Sequence, residues 1–135
     1  MAVNYLAILV ASIVSMVLGF LWYGPLFGKL WMRWMHFNKK KIDAAQQQGM
    51  WKSYLSAFVG TLVTSLVMAG SLAYIGTRSV VDGITVAFWL WLGFVATTTL
   101  GSVLWEGKPI KVYLLNNAYN LLNLAVMATI LVLWS

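Results

Sequence analysis

The sequence predicts an all-α membrane protein, a bundle of four transmembrane helices with a short basic amphipathic helix after the first span. Three observations predict this fold. Hydrophobic residues make up 61% of the 135 residues and charged residues only 9%, whereas a soluble domain carries roughly 25% charged residues. Four apolar stretches each reach about 20 residues, the length that crosses a bilayer as a helix. Lysine and arginine are concentrated in the links between these stretches.

The predicted spans cover residues 3–23, 53–75, 83–105 and 112–134, all within a single domain of residues 1–135. No Asp, Glu, Lys, Arg or His lies inside them away from their ends. Strands of a transmembrane barrel would be shorter and would alternate apolar and polar residues. These stretches are long and continuously apolar, so they are predicted to be helices. The first is too long for a signal peptide and lacks a basic segment before it, so we expect it to be retained.

The predicted spans end at residues that stop helices. Gly24 and Pro25 follow the first span, Gly76 follows the second, and Gly107 and Pro109 follow the third. Gly readily adopts the left-handed conformation after a helix, and Pro cannot continue one. We therefore predict that these residues close the spans, with left-handed caps at Gly24 and Gly107.

The distribution of positive charge predicts the orientation. Of the 9 Lys and Arg residues, Arg78 alone lies in the link between the second and third spans. The other links contain Lys29, Arg33, Lys39, Lys40, Lys41, Lys52, Lys108 and Lys111. Because basic links stay on the cytoplasmic side, residues 25–52 are predicted to be cytoplasmic and both termini to lie outside. The expected location is the plasma membrane.

Residues 25–37 are predicted to form a helix that lies in the membrane plane, followed by a polar cytoplasmic loop at 38–50. At helical spacing, one face carries Lys29, Arg33 and His36, and the opposite face carries Phe27, Leu30, Trp31, Trp34 and Met35. Such a helix is typical of attachment to an anionic leaflet. It is interpreted either as an anchor that fixes the topology or as a specific lipid or partner site formed by Lys29, Arg33, Trp31 and Trp34.

Small residues at a spacing of four predict where the helices pack, because they let helix backbones approach closely in lipid. The first span carries this pattern at Ala7, Ala11, Ser15 and Gly19, the second at Ser53, Ala57, Thr61 and Ser65, and the third at Gly93, Thr97 and Gly101. We expect each of these stripes to face another helix.

The fourth span carries an unusual polar seam. Asn116, Asn120 and Asn123 point within about 40° of one direction at helical spacing. At 1.5 Å per residue, Asn123 lies roughly 16 Å into an apolar core about 30 Å thick. An amide cannot face lipid there without a large cost, so it must face protein or water. Thr97, Thr98 and Thr99 of the third span lie at a comparable depth and are the expected partners. The seam is interpreted either as a contact between helices or as the lining of a path for a small solute.

Glu106 lies at the end of the third span, where the helix dipole disfavours an anion. Lys108 or Lys111 is expected to compensate its charge. One interpretation is an ion pair at the membrane surface. The other is a cytoplasmic mouth, formed by Glu106 and Lys108, that controls access to the seam.

Several classes of function are not expected. There is no Cys, and the titratable residues include 1 His and 3 acidic residues. These cannot assemble an acid–base pair, a nucleophilic triad or a metal site. We therefore expect no enzyme activity, no catalytic or metal-binding residues and no cofactor. The net charge of +6 is concentrated in the links, so the expected partner is the bilayer, with anionic lipid at its cytoplasmic leaflet, and not nucleic acid.

The segment from Trp22 to Met32, which reads WYGPLFGKLWM, resembles a widespread bacterial family of small four-helix membrane proteins, domain of unknown function number 1761. Two later stretches, 105–109 and 116–134, also resemble the family. The resemblance covers almost the whole chain and implies a four-helix membrane fold without any known activity. The chain differs from the family pattern at Ala118, Asn120 and Asn123.

Two functions follow from these features. The first is a small channel or transporter-like protein for a small solute or ion, expected to be a homo-oligomer because four helices enclose little volume. No ionisable residue lies within the predicted spans, so proton-coupled transport is not expected. The alternative is a non-catalytic scaffold or accessory protein that binds anionic lipid or another membrane protein through its basic helix.

Overall fold

The computed structural model describes residues 4–34 and 51–134, which form an all-helical bundle. Within these residues we number five helices. They are α1 (Tyr5–Leu26), α2 (Gly28–Trp34), α3 (Trp51–Ile75), α4 (Val80–Leu104) and α5 (Ile110–Leu133). Helices α1, α3, α4 and α5 are each long and apolar enough to cross a membrane. The predicted fold class is therefore confirmed, and the four predicted spans correspond to these helices to within a few residues at each end.

The predicted amphipathic helix corresponds in part to α2, which is a single short helix within the range 25–37. Lys29 and Arg33 are exposed on it, as the helical spacing predicts. The rest of that range, including Met35 and His36, and the predicted loop at 38–50 lie outside the described residues. The position of α2 in the plane of a membrane stays a prediction.

Helix α1 begins at a side-chain cap and is tied to the last helix. The Asn4 side-chain oxygen accepts hydrogen bonds from the backbone N–H groups of Leu6 and Ala7, at 3.0 and 3.3 Å. Such a cap satisfies N–H groups that the first turn of a helix leaves free. The Asn4 amide also donates to the carbonyl of Trp134 at 3.2 Å. The start of α1 and the end of α5 therefore lie at the same end of the bundle.

The predicted left-handed cap at Gly24 is wrong, because α1 continues through Gly24 and Pro25 to Leu26 as a π-helical turn. The N–H of Phe27 donates to the carbonyl of Trp22, five residues earlier, at 2.9 Å. Pro25 has no N–H to complete the ordinary α-helical pattern, and the wider turn accommodates it. The prediction for Gly107 is confirmed by its φ of 70°, and Gly76 closes α3 with a φ of 80°.

Helix α5 is the central element, because it packs against α1, α3 and α4, while α3 packs mainly against α1. The apolar core lies among these helices. Its fully buried side chains are small or medium in size and include Ala7, Ala11, Leu72, Ala87, Met127, Ala128 and Leu131. In the most apolar stretch of each long helix, between 17% and 33% of the residues are buried. Most apolar side chains are therefore free to face lipid, which indicates a membrane protein.

The small-residue stripes were only partly predictive of the packing faces. On α1, Ala7, Ala11 and Ser15 are buried as expected. On α3 the first turns are exposed, and the buried face begins at Ser65.

On α4 the predicted stripe is wrong. Gly93 and Thr97 are exposed, and Gly83 makes the close approach instead. A Cβ atom at Gly83 would lie 2.9 Å from a methyl group of Val132 and 3.7 Å from the Cβ of Ala128. The prediction from Gly93, Thr97 and Gly101 was wrong because α4 makes its close contact with α5 near its own start, about three turns before Gly93.

Candidate functional site

The first half of α5 turns one polar face toward α1. Asn116 accepts a hydrogen bond from the hydroxyl of Tyr23 at 2.7 Å. Two turns later, Asn123 accepts one from the hydroxyl of Ser15. Between them, the hydroxyl of Tyr119 donates to the backbone carbonyl of Ser15 at 3.2 Å. Each bond pairs a polar group that lipid could not satisfy, so this face of α5 is held against α1 mainly by polar contacts.

A second polar face of α5 meets α4. The Asn117 amide donates to the hydroxyl of Thr99 at 3.1 Å and to the carbonyl of Tyr113 at 3.0 Å. Trp91 donates its indole N–H to the carbonyl of Asn117 at 2.9 Å, and the Tyr113 hydroxyl donates to the carbonyl of Ala96 at 2.6 Å. Asn117 is only 4% exposed. Its amide therefore serves as a buried contact between helices.

A cavity of about 540 Å³ lies between these two polar faces. It is bounded by the end of α1, by α2, by the end of α4 and by the first turns of α5. Its lining combines amide, hydroxyl and aromatic groups with one cation, and consists of Tyr23, Trp31, Thr99, Ser102, Lys108, Val112, Tyr113, Asn116, Asn117, Tyr119 and Asn120. Cavities of this size hold small molecules.

The polar groups that line the cavity divide into two kinds. The hydroxyls of Tyr23, Tyr113 and Tyr119 each donate to a protein acceptor. The side chain of Asn120, by contrast, makes no hydrogen bond to any described residue. Neither does the amide nitrogen of Asn116, since its oxygen alone accepts from Tyr23. These amides are available to water or a solute in the cavity.

One charged pair lies at the open end of the cavity. The ammonium of Lys108 is 3.7 Å from a carboxylate oxygen of Glu106, and their side chains are 47% and 64% exposed. An exposed pair of this kind is weak. Lys108 lines the cavity, whereas Glu106 does not. The ammonium of Lys111 lies 5.8 Å from the ring of Trp34, so the same end of α5 also contacts α2.

The cavity stops about halfway along the bundle. Past Asn123, the side chains that α5 turns inward are Leu124, Met127, Ala128 and Leu131, all buried and apolar. They pack against the buried residues of α1, among them Ala7 and Ala11. The bundle therefore has a polar half, which contains this cavity, and an apolar half, in which α5 packs closely against α1. A second, apolar pocket of about 490 Å³ lies between α3 and α4 and reaches Leu124.

The structure brings most of the predicted seam together, but with different partners. Asn116 and Asn120 line the cavity, and Asn123 lies at its inner end, bonded to Ser15. The predicted pairing of Thr97 with the seam is wrong, because Thr97 is exposed and its hydroxyl donates to the carbonyl of Gly93 in its own helix. Of the three neighbouring threonines, Thr99 is the one that faces α5.

On α2 the four residues predicted to bind lipid separate into two pairs. Lys29 and Arg33 are exposed, while Trp31 and Trp34 are partly buried. Trp31 lines the cavity, with its ring 5.7 Å from that of Tyr23. The sequence did not predict that Trp31 and Tyr23 form an aromatic side of a cavity.

The sequence analysis did not predict that Asn117 and Ser15 form polar contacts between helices. Ser15 belongs to the small-residue stripe of the first span, and Asn117 points away from the direction shared by the other three amides. The hydroxyl of Ser15 lies at the same depth in the membrane as the amide of Asn123, and this match could have indicated the pair. Among residues 4–34 and 51–134, no group of three or more His, Asp or Glu side chains could hold a metal ion.

Comparison with known proteins places the chain in a sequence family. The family described as "Protein of unknown function (DUF1761)" matches residues 6–132, nearly the whole chain. No curated protein and no solved structure matches the chain.

Proposed function

The chain belongs to the DUF1761 family of unknown function, and on that premise we propose that it is a transporter-like membrane protein that binds a small polar solute. The proposed binding site is the cavity between α1, α4 and α5. The single observation that carries the proposal is the pair of open amides, Asn116 and Asn120, in a cavity of about 540 Å³ that reaches into an otherwise apolar bundle.

The access of these amides to the cavity supports a role beyond packing. A fully buried amide without a partner costs on the order of 1–3 kcal/mol, and Asn116 and Asn120 avoid that cost because both are only half-buried and line the cavity. The neighbouring Asn117 avoids that cost through its bonds to Thr99 and Tyr113, so the fold can satisfy an amide where one serves only to join helices. Asn120 is left open to the cavity, which is the arrangement expected of a group that meets water or solute.

The apolar packing of α1 against α5 beyond Asn123 favours a carrier over a permanently open pore. A solute in the cavity would meet Asn120 and could pass the bonded pair of Ser15 and Asn123 only with a movement of α1 relative to α5, or by a path between copies of the chain. Helix α4 is the least buried of the long helices, at 17%, and offers a large apolar face. We therefore also propose a homo-oligomer, with the cavity of each copy open to the cytoplasm.

Solute flux into liposomes tests this proposal. The purified chain is reconstituted, and vesicle swelling by urea, glycerol, acetate and lactate is followed by light scattering. We expect faster swelling than in protein-free vesicles for at least one of these solutes. Asn120→Leu should reduce the increase at least about tenfold, which corresponds to a loss of about 1.4 kcal/mol of interaction with the solute.

Thr97→Val is the matched control, since Thr97 is exposed and bonds only within α4. It should swell at the rate of the unchanged chain. If the folded, reconstituted chain gives no increase with any of the four solutes, or if both variants behave alike, the transport proposal is wrong.

An accessory role at the lipid surface is the second candidate, and the exposed Lys29 and Arg33 of α2 favour it. Each basic residue near an anionic leaflet contributes roughly 1 kcal/mol. The thermal stability of the chain should then be higher in vesicles with phosphatidylglycerol than in pure phosphatidylcholine. The double variant Lys29→Gln, Arg33→Gln should remove that difference, whereas Arg78→Gln, in the opposite link, should not.

A further inference from the structure

We propose that the cavity selects a small, singly charged carboxylate over neutral solutes of the same size. This inference rests on the proposed function, because it names the class of solute that the same cavity binds. The observation behind it is that the one ionised group among the lining residues is a cation, and that each polar group left open in the cavity can donate a hydrogen bond.

The donors follow from the hydrogen bonds already made. Asn116 uses its oxygen to accept from Tyr23, so its NH₂ group is the part left to a ligand. Ser102 and Asn120 make no side-chain bond to a described residue, and each adds a further donor beside an acceptor oxygen. A carboxylate, which only accepts hydrogen bonds, can accept from every one of these groups.

The charges act in the same direction. Lys108 lines the cavity, and its partner Glu106 lies outside the lining, exposed to solvent. Among the lining residues the charge is therefore a single positive one, and the exposed Glu106, 3.7 Å from it, is a weak partner.

A single cation sets the charge of the ligand. A monocarboxylate would take the place of Glu106 as the partner of Lys108, whereas a dianion such as phosphate would leave one further negative charge uncompensated between the helices, where charge is strongly disfavoured. Acetate, propionate or lactate fits within about 540 Å³ and leaves room for water.

The absence of cysteine in the chain makes thiol labelling a direct test. Ser102→Cys introduces a nearly isosteric thiol into the cavity while leaving Asn116, Asn120 and Lys108 unchanged. Its rates of reaction with a negatively charged and a positively charged methanethiosulfonate are compared in detergent. Ser53→Cys, exposed at the start of α3, gives the reference ratio beside Lys52, and Thr99→Cys, exposed and part of the cavity lining, serves as a second cavity reporter.

We expect the anionic reagent to be favoured at Ser102→Cys by about tenfold over the reference ratio, as one unit charge at close range in a wet cavity produces. Acetate and lactate should slow the reaction, and urea and glycerol should not. Adding Lys108→Gln should abolish the preference for the anionic reagent, whereas adding Glu106→Gln should increase it.

The other outcomes separate this inference from the proposed function. If both reagents label Ser102→Cys at the reference ratio, or if urea protects as well as acetate, the selection of carboxylates is refuted while the solute cavity stands. If neither reagent labels Ser102→Cys or Thr99→Cys although Ser53→Cys is labelled, the cavity is closed to water, and both proposals are overturned.

Discussion

The two halves of α5 pack against the same neighbouring helices by different means. In residues 112–123 the contacts to α1 and α4 are hydrogen bonds through Asn116, Asn117 and Asn123. In residues 124–133 they are contacts of buried apolar side chains, with the closest approach at Gly83 of α4. In the second half, small residues let the helix backbones approach closely. In the first half, the amide pairs flank a cavity that is lined by polar groups.

The largest expected effect is in the apolar half. Gly83→Leu would place a side chain where a Cβ atom alone lies 2.9 Å from Val132, so α4 must move away from α5. We expect a loss of about 3 kcal/mol or more in the free energy of unfolding, at or above the upper end for overpacking. Unfolding by sodium dodecyl sulfate in mixed micelles, followed by circular dichroism, measures it.

Gly70→Leu is the matched control for that variant. Gly70 is exposed on α3, and a Cβ atom there would meet no atom within 4 Å. The same substitution should leave stability unchanged or raise it by up to about 1 kcal/mol through the higher helix propensity of Leu. Equal losses in the two variants would show that α4 and α5 do not pack closely at Gly83.

A smaller effect is expected from Asn117→Leu in the polar half. This change removes the bonds donated to Thr99 and Tyr113, and such bonds contribute about 0.6 kcal/mol each in membrane proteins. We expect a loss of about 1 kcal/mol in the same unfolding measurement. Asn120→Leu, one turn away, removes no bond to a described residue and should leave stability nearly unchanged while reducing solute flux.

The opposite pattern, with Asn120→Leu destabilising and Asn117→Leu neutral, would exchange the two roles. Asn120 would then be the contact between helices, and the cavity would lose the open amide on which the transport proposal depends. The two variants therefore test directly whether Asn117 joins the helices and Asn120 binds the solute.

The difference between the halves also explains how much the sequence could predict. Long apolar stretches fix the number of helices and nearly all of their ends, because each must cross a similar thickness of bilayer. Periodicity also places Asn116, Asn120 and Asn123 on one face of α5. It cannot specify which helix that face meets. That depends on how α1 and α4 rotate about their axes, which is why Thr97 was expected at the seam and Ser15 is found there.

The failure to predict that Trp31 lines the cavity has a similar physical cause. Trp31 lies on the apolar face of α2, which predicts contact with lipid equally well as contact with protein. The continuation of α1 as a π-helical turn through Pro25 sets where α2 begins, and it brings Trp31 beside Tyr23. A Gly-Pro pair at the end of a span normally indicates a stop, so this path of the chain could not be read from the residues.

The smallest expected effect is at the boundary between the two halves, where Ser15 bonds to Asn123. A double-mutant cycle with Ser15→Ala and Asn123→Ala should give a coupling of about 0.6 kcal/mol in unfolding. Tyr119 donates to the backbone carbonyl of Ser15, and that bond remains in the variants, so the cycle isolates the side-chain pair. If the pair also closes the inner end of the cavity, either variant should raise solute flux although stability falls. A coupling near zero would mean that the apolar packing alone holds the boundary, and the inner end of the cavity would then have to be assigned to the buried residues beyond Asn123.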